Sequence, residues 1–460
     1  MTTTQPAGSP GPEAAEASSL PPLRAQRNYR IWWLADTSAL LAGGIYGFIL
    51  PLILLATTQS PVWAGALAAL GVAARASLTL AGGAMADRSD RARMMLINGV
   101  CAAAMTGALA LGISTHSLSA TALCIAHILM ELRGGYFGST TNAALKDLVH
   151  PKQLGRALAA NQGRDSVLML GASPLGGLLL GLGGGIALLA VGVLNLLAGL
   201  AGFTLRRPLR AAAEETRKRR EDPGSTGETV AHGIVAGMRW CFARPRLRAI
   251  LLVIMVVNIG VNGLMTALIY GLQQRGETAW VIGLASTFMG VGMLIGSVAA
   301  TAAIDKFRTG LLACVCLTIL GIAMLLIGFN TNLLWMGIML LVSFLSVPAL
   351  NAAIGGYFMA AIPPEMAGRA NSLIMFMALA AGPLAPLAAG VGLEWLGMGP
   401  TLIFFGAFVM LSALVAWLSP RIRNIPHPEN WVQEAAIEMP VPEDPAGSDP
   451  VSKYGKEKLK

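Results

Sequence analysis

The sequence predicts an all-α membrane protein, with twelve transmembrane helices arranged as two six-helix halves. Three observations carry that expectation. Hydrophobic residues make up 55% of the 460-residue chain and charged residues only 12%, against about 25% charged in a soluble domain. Apolar runs of roughly 20 residues, long enough to cross about 30 Å of hydrocarbon, can be placed twelve times. The pattern Pro-x-x-x-Gly-Arg-Ala occurs twice, at Pro151–Ala157 and Pro364–Ala370, and opens a long apolar segment each time. Matched halves of this kind build a binding site where they meet.

In chain order the expected spans are 31–56, 62–86, 94–114, 118–141, 157–181, 185–205, 247–272, 278–303, 310–329, 332–360, 370–393 and 398–419. The chain then divides into a disordered tail at 1–22, a first half at 23–205, a connector at 206–246, a second half at 247–423 and a disordered tail at 424–460. Residues 1–22 are rich in Pro, Ala, Ser, Gly and Glu and lack a signal-peptide pattern. The last 37 residues mix Pro, Glu, Asp and Lys, a composition that does not bury a core.

Lys and Arg sort between alternate loops. One set carries Arg24, Arg27, Arg30, Arg88, Arg91, Arg93, Lys146, Lys152, Arg156, Lys306, Arg308, Arg369, Arg421 and Arg423, whereas Thr57–Val62, Ser114–Ser119 and Asn330–Asn332 carry none and Arg275 alone breaks the pattern. By the positive-inside rule both termini face the cytoplasm, and a multi-pass protein of the cell (inner) membrane is expected. The net charge of +9 is spread over six segments, so it reads as topology and not as a nucleic-acid-binding patch. Trp63, Trp280, Trp335 and Trp395 fall at outer ends and Trp32, Trp33 and Trp417 at inner ends, as an aromatic belt does. The five cysteines show no disulfide or metal spacing.

Taken in order, span one holds Asp36 and span two Arg75. A charge at the bilayer centre costs at least about 2.5 kcal/mol and marks a pathway or a pairing. The loop after span two reads Gly82, Gly83, Ala84, Met85, Ala86, Asp87, Arg88, Ser89, Asp90, Arg91, Ala92, Arg93. Its glycines permit close helix approach, and an acid among bases makes a conformational latch, so Gly83, Asp87, Arg88 and Arg91 are assigned to that role. This segment resembles motif A of the major facilitator superfamily, Gly-x-Leu-Ala-Asp-Arg-x-Gly-Arg-Lys, with Asp90 where the motif has its second glycine and Ala92 displacing the last basic residue. Its Asp-Arg-x-Asp-Arg form is similar to the drug-proton antiporter branch that includes macrolide and enterobactin exporters. A weaker echo, Asp305–Gly310, stands at the matching place in the second half.

Span four carries His127, Glu131 and Arg133. His127 and Glu131, four apart, share a helical stripe that continues as Gly135 and Gly138; Arg133 points elsewhere, near the span-four arginine of the drug antiporters that the chain resembles. Glu131 lies about 18 Å along its span at 1.5 Å per residue, against about 8 Å for Asp36, and is the first candidate for proton coupling, with Asp36, Asp165 and His127 behind it. The alternative is an ion pair between Glu131 and Arg75 or Arg164. A shallow Asp36 can snorkel to water.

Span five holds Arg164 and Asp165, then Gly171, Ala172, Ser173, Pro174, Leu175, Gly176, Gly177. The latter run is similar to the antiporter motif C, Gly-Pro-x-x-Gly-Gly; a proline frees a carbonyl while glycines admit a neighbouring helix, so Gly171, Pro174, Gly176 and Gly177 are packing candidates. Gly382 and Pro383 occupy the equivalent place in span eleven. Within the connector, 230–248 reads as an amphipathic helix on the inner leaflet. Span seven shows Asn258, Asn262, Thr266 and Tyr270 at four-residue steps, and span ten adds Ser343, Ser346 and Asn351; such groups face a bundle interior or a wet cavity. Spans one, four, seven and ten line the central cavity in the superfamily that the chain resembles. Met130, Met265, Met289 and Met375 suit bulky apolar ligands.

The resemblance implies a major facilitator fold that exports bulky amphiphilic small molecules, such as drugs, macrolides or siderophores, by proton antiport and alternating access. Its partners are then a small-molecule substrate, protons and the lipid bilayer, with no nucleic acid, no cofactor and no metal, and the chain is expected to be a monomer. Rival expectations are an uptake carrier of the same fold and a non-transporting sensor or lipid-handling protein. An enzyme is disfavoured, because His116, His150, His232 and His427 are isolated and no nucleophile-base pair stands out.

Overall fold

The computed structural model describes residues 21–86, 89–115, 117, 119–211, 214, 242, 244–360 and 382–431. Both expected tails beyond residues 20 and 431, most of the connector with its amphipathic segment, the second Gly-Arg-Ala repeat, Met375 and the latch residues Asp87 and Arg88 lie outside them.

Helices follow one another throughout: α1 (Arg27–Thr58), α2 (Pro61–Ala86), α3 (Arg91–Ser114), α4 (Ala120–Phe137), the short α5 (Thr140–Leu148), α6 (Pro151–Leu182), α7 (Gly184–Thr204), α8 (Pro245–Gln274), α9 (Ala279–Lys306), α10 (Thr309–Ile327), α11 (Leu333–Leu345), α12 (Val347–Ala360), α13 (Leu384–Leu396), α14 (Met398–Leu418) and α15 (Pro420–Arg423). Among the described residues, ten helical segments are long and apolar enough to cross a membrane, α11 and α12 together counting as one. Helix α4, with its charges, and α13, whose preceding residues are not described, complete the twelve expected spans. The chain is a multi-pass membrane protein of all-α fold.

Local chemistry sets the helix ends. Pro61, Pro151 and Pro245 each stand at a first helical position, where the missing N–H costs nothing. Asp90, Ser119 and Asn332 accept backbone N–H bonds from Arg93, Ala122 and Leu334 at 3.1, 3.1 and 2.9 Å, satisfying donors that a helix start leaves open. Gly183 (φ 140°) and Gly397 (φ 80°) make the sharp reversals between α6 and α7 and between α13 and α14, conformations closed to most side chains. The tenth span breaks at Ser346, followed by Pro348, which has no N–H to continue the ladder.

Within the first half α3 packs on α7 and α2 on α4, and within the second α10 packs on α14 and α9 on α11. The halves meet through α6 with α9, α2 with α13 and, more lightly, α1 with α8. These contacts gather at the end expected to be outer. A Cβ at Gly65 would meet the Pro386 carbonyl at 2.3 Å, one at Gly390 the Pro61 carbonyl at 2.2 Å, and one at Gly177 the Ala279 carbonyl at 2.4 Å. Glycine is thus what lets the halves touch backbone to backbone. Three hydrogen bonds reinforce the seam: Ser60 Oγ donates to Glu394 at 2.7 Å, the Val62 N–H donates to the same carboxylate at 3.4 Å, and Gln273 Nε2 donates to the Leu52 carbonyl at 2.7 Å.

The packed second half runs past its expected boundary at 423. Ile425 is buried, Gly310 and Thr309 donate backbone bonds to Ile425 and Pro426, and Trp431 lies edge-on to Tyr357 while donating to Thr309 Oγ1 at 3.0 Å. A strap formed by residues 419–431 therefore closes over the start of α10.

Candidate functional site

A cavity of about 760 Å³ opens inside the first half, walled by α1 to α7. Six charged side chains line it: Asp36, Arg75, Glu131, Arg133, Arg164 and Asp165. They form two groups.

In the first, Arg164 of α6 bonds Asp36 of α1 and folds back onto its neighbour Asp165, its Nη2 lying 2.7 Å from the Asp165 carboxylate. Arg164 is 6% and Asp36 9% exposed at the side chain, whereas Asp165 is 38% exposed. The guanidinium also lies 5.7 Å from the Trp32 ring centre and 5.6 Å from that of Trp33, a cation–π setting that offsets part of its lost hydration. The expected snorkelling of Asp36 is corrected here, because the carboxylate is buried by the cation reaching it from span five.

In the second group Arg75 of α2 reaches Glu131 of α4 at 3.4 Å. This is one of the two pairings expected for Glu131; the other candidate, Arg164, is committed to Asp36 and Asp165. Gly135 lets α4 come this close to α2: a Cβ there would meet the Arg75 carbonyl at 2.2 Å, whereas one at Gly134 would make only ordinary contact with the Arg75 guanidinium at 3.5 Å. Arg133 lines the same cavity and donates to Asn98 of α3, which corrects the expectation that it points away from Glu131's surroundings. Tyr46, buried on α1, lies within electrostatic reach of Glu131 and Arg133, and its hydroxyl has no hydrogen-bond partner.

His127 goes elsewhere. It is buried against α2, where a Cβ at Gly71 would fall 2.1 Å from its Nε2, and neither ring nitrogen is hydrogen-bonded. The stripe His127, Glu131, Gly135 is thus the face of α4 that packs on α2.

The second-half polar residues do not join this cavity. Asn258, Asn262 and Thr266 donate to carbonyls of their own helix, those of Ile254, Asn258 and Asn262, at 2.8, 2.8 and 2.9 Å. Ser343 and Ser346 do the same with Met339 and Ser343 and are buried, while Asn351 is exposed. Tyr270 is fully buried with an unpartnered hydroxyl.

Of the latch, Gly83 is half-buried with open space beside it, and Arg91 bonds Asp147 of α5 and the Ala143 carbonyl. Of the motif resembling motif C, Gly176 packs on Phe48 and Ile49 of α1, Gly177 meets α9 of the other half, Pro174 lies inside α6 and Gly171 faces open space. Pro383 caps the start of α13.

Sequence reasoning missed Tyr46 and Asn98 at this site, Asp147 as the partner of Arg91 and Glu394 at the seam between the halves. Asn98 is a polar residue inside an otherwise apolar span, the signal used for span seven and left unused for span three.

A family model described as Major Facilitator Superfamily matches residues 32–386 and again 250–453. The chain is similar to the multidrug efflux pump Tap of Mycolicibacterium fortuitum, 26% identical over 405 residues that cover 84% of this chain and 95% of that protein. Among solved structures it resembles a bacterial homologue of the iron transporter ferroportin in an inward-facing state, with a TM-score of 0.65 and 16% identity over 84% of this chain and 98% of that one. It also resembles a bacterial homologue of the human lysosomal transporter Spinster, inward-facing and occupied, with a TM-score of 0.65 and 15% identity over 88% of this chain and 98% of that one. At these identities the structural likenesses speak for the fold.

Proposed function

The chain belongs to the major facilitator superfamily, and from that premise we propose that it exports bulky amphiphilic small molecules from the cytoplasm by proton antiport. The observation that carries the reading is the cavity itself: six charged side chains held together between helices that cross the membrane. Burying them has no structural reward of its own, because a buried ion pair seldom beats apolar packing, whereas moving a charged solute or a proton requires them. The efflux activity in the name of the M. fortuitum relative supports the direction.

The state is open to the cytoplasm. The seam between the halves is closed where Ser60 meets Glu394 and Gln273 meets Leu52, and the Lys/Arg distribution supports reading that end as the outer one, with both termini in the cytoplasm. The working unit is a monomer in the cell (inner) membrane, as a cavity formed by one chain permits.

Glu131 couples the proton. Its partner Arg75 is 54% exposed at the side chain and 3.4 Å away, so the pair is loose enough to part when the carboxylate is neutralised, which frees Arg75 to face the solute. A second reading places the proton at Asp36 and Asp165, because two carboxylates there share the single guanidinium of Arg164.

The test is uptake of macrolides, dyes and siderophores into inverted membrane vesicles with and without an inward-acid gradient, for the native protein and for Glu131→Gln and Asp165→Asn. Gradient-driven uptake lost in Glu131→Gln and kept in Asp165→Asn supports the first reading; the reverse supports the second. Movement of no compound under a gradient overturns the exporter reading, and accumulation by intact cells would make the protein an uptake carrier.

A further inference from the structure

The two charged groups differ in sign. Asp36, Arg164 and Asp165 carry one excess negative charge, while Arg75, Glu131 and Arg133 carry one excess positive charge. In each group the group most open to the cavity is the surplus one: Asp165, 38% exposed, and Arg75, 54% exposed. Asp36 and Tyr46, which mark the two levels on α1, are ten residues apart, about 15 Å at 1.5 Å per residue.

Between the levels α1 turns Leu40 and Gly43 to the cavity, and just past Tyr46 it adds Gly47. Glycine inside a helix costs about 1 kcal/mol relative to alanine, and many helical glycines in this protein are explained by a neighbour that a Cβ would strike, although Gly83, Gly107, Gly163, Gly171, Gly181 and Gly355 also face open space. A Cβ at Gly43 or Gly47 would meet no atom within 4 Å. Neither has an unusual backbone conformation, since the positive-φ glycines are Gly183, Gly276 and Gly397. What sets Gly43 and Gly47 apart from the other open glycines is that the space beside them is the cavity, whose wall they leave smooth for a ligand body. The Tyr46 hydroxyl, buried and without a partner beside that space, points to the same conclusion, because an unpaired buried hydroxyl is costly until a ligand satisfies it.

We propose that the cavity binds a zwitterionic amphiphile lying along α1, its cationic group at Asp165 and its anionic group at Arg75, with Tyr46 hydrogen-bonded to the anionic end and the ligand body seated over Gly43 and Gly47. The charge spacing it matches is on the order of 10 to 15 Å, set by helix rise. A ligand with a single charge leaves one pole uncompensated in a low-dielectric site; a zwitterion matches both. This deepens the exporter reading and rests on it, by naming the class of solute that the cavity selects.

The test uses equilibrium binding to the purified full-length protein in a non-ionic detergent, measured by titration calorimetry, so that it does not depend on transport. Three probes share a rigid biphenyl body: one with trimethylammonium at one end and carboxylate at the other, one with the carboxylate replaced by a methylamide, and one with the trimethylammonium replaced by the isosteric tert-butyl. The zwitterion is expected to bind at least tenfold tighter than either singly charged probe. Arg75→Gln should erase its advantage over the cationic probe alone, Asp165→Asn its advantage over the anionic probe alone, and Gly43→Leu should weaken all three. Near-equal affinities for the three probes, binding of none, or a uniform weakening of all three by Arg75→Gln or by Asp165→Asn would overturn the inference. If selectivity fails while gradient-driven efflux persists, only this inference falls; if binding is selective and no solute moves under a gradient, the exporter reading falls.

Discussion

The two halves have one architecture and opposite chemistry. The first half gathers three acids and three arginines from α1, α2, α4 and α6 around one cavity. In the second half, α10, α11, α12 and α14 contain no Asp, Glu, Lys, Arg or His, and the charged residues of α8, α9 and α13 stand near helix ends; its Asn and Ser side chains turn back on their own helices. A helix that satisfies its own polar groups can slide or tilt against a neighbour without breaking bonds. A helix tied to another by a buried ion pair cannot. The difference teaches that duplicated halves divide the labour: one gathers the buried charge, the other supplies a smooth counter-surface.

Removing the first half's buried cation should break this contrast hardest. Arg164→Met leaves Asp36 buried and unpaired, a loss of about 3–5 kcal/mol, read as a large drop in thermal stability in detergent and in the amount of folded protein. Arg164→Lys, which keeps the charge without the fork that holds two carboxylates, is expected to fall between.

The outer seam, where the halves cooperate, comes next. Glu394→Ala strips the acceptor from Ser60 and from the start of α2, about 1 kcal/mol, or roughly a fivefold shift toward the outward-open state. A cysteine placed at Leu52 should then react several-fold faster with an impermeant thiol reagent added outside. An unchanged rate would show that the glycine contacts alone hold the seam.

The second half should tolerate what the first does not. Asn258→Leu gives up only a bond within one helix, and stability should stay within about 0.5 kcal/mol of the native protein in a melting experiment. A loss comparable with that of Arg164→Met would break the contrast outright.

An effect set by pH belongs to the loop end of α3. Burial opposes the charge on Asp90, but its bonds from Arg210 and the Arg93 N–H prevail and hold its carboxyl below the ordinary carboxylate value. A lowered acid stabilises the fold above the unfolded-state value, about pH 4, and loses that contribution as pH falls through the folded value. Asp90→Ala should therefore cost about 1 kcal/mol as a lost helix cap at neutral pH, with the same cost at pH 6 and pH 8 in thermal melts, and a smaller one in strong acid.

The fold was legible because bilayer thickness fixes the length of each apolar run and charge sorts the loops, both properties of single segments. The candidate site was legible in part, for the same reason: Asp36, Arg75, Glu131, Arg133, Arg164 and Asp165 stand out individually against hydrocarbon. Their partners do not. Arg164 meets Asp36 across 128 positions and Glu394 meets Ser60 across 334, distances over which no periodicity speaks. His127 shows the limit from the other side, since a stripe at i and i+4 says that residues share a face and not which neighbour that face meets; here it meets Gly71. The polar ladder of span seven was visible as a pattern, yet its amides bond within the helix, an outcome that four-residue spacing permits as readily as a cavity.

The docked segment ending at Trp431 sets a practical limit on handling this molecule. With that indole wedged over Gly356 and bonded to Thr309, a truncation, protease site or fluorescent fusion placed upstream of it would uncork the helix ends that it covers, so reporters and affinity handles belong farther downstream.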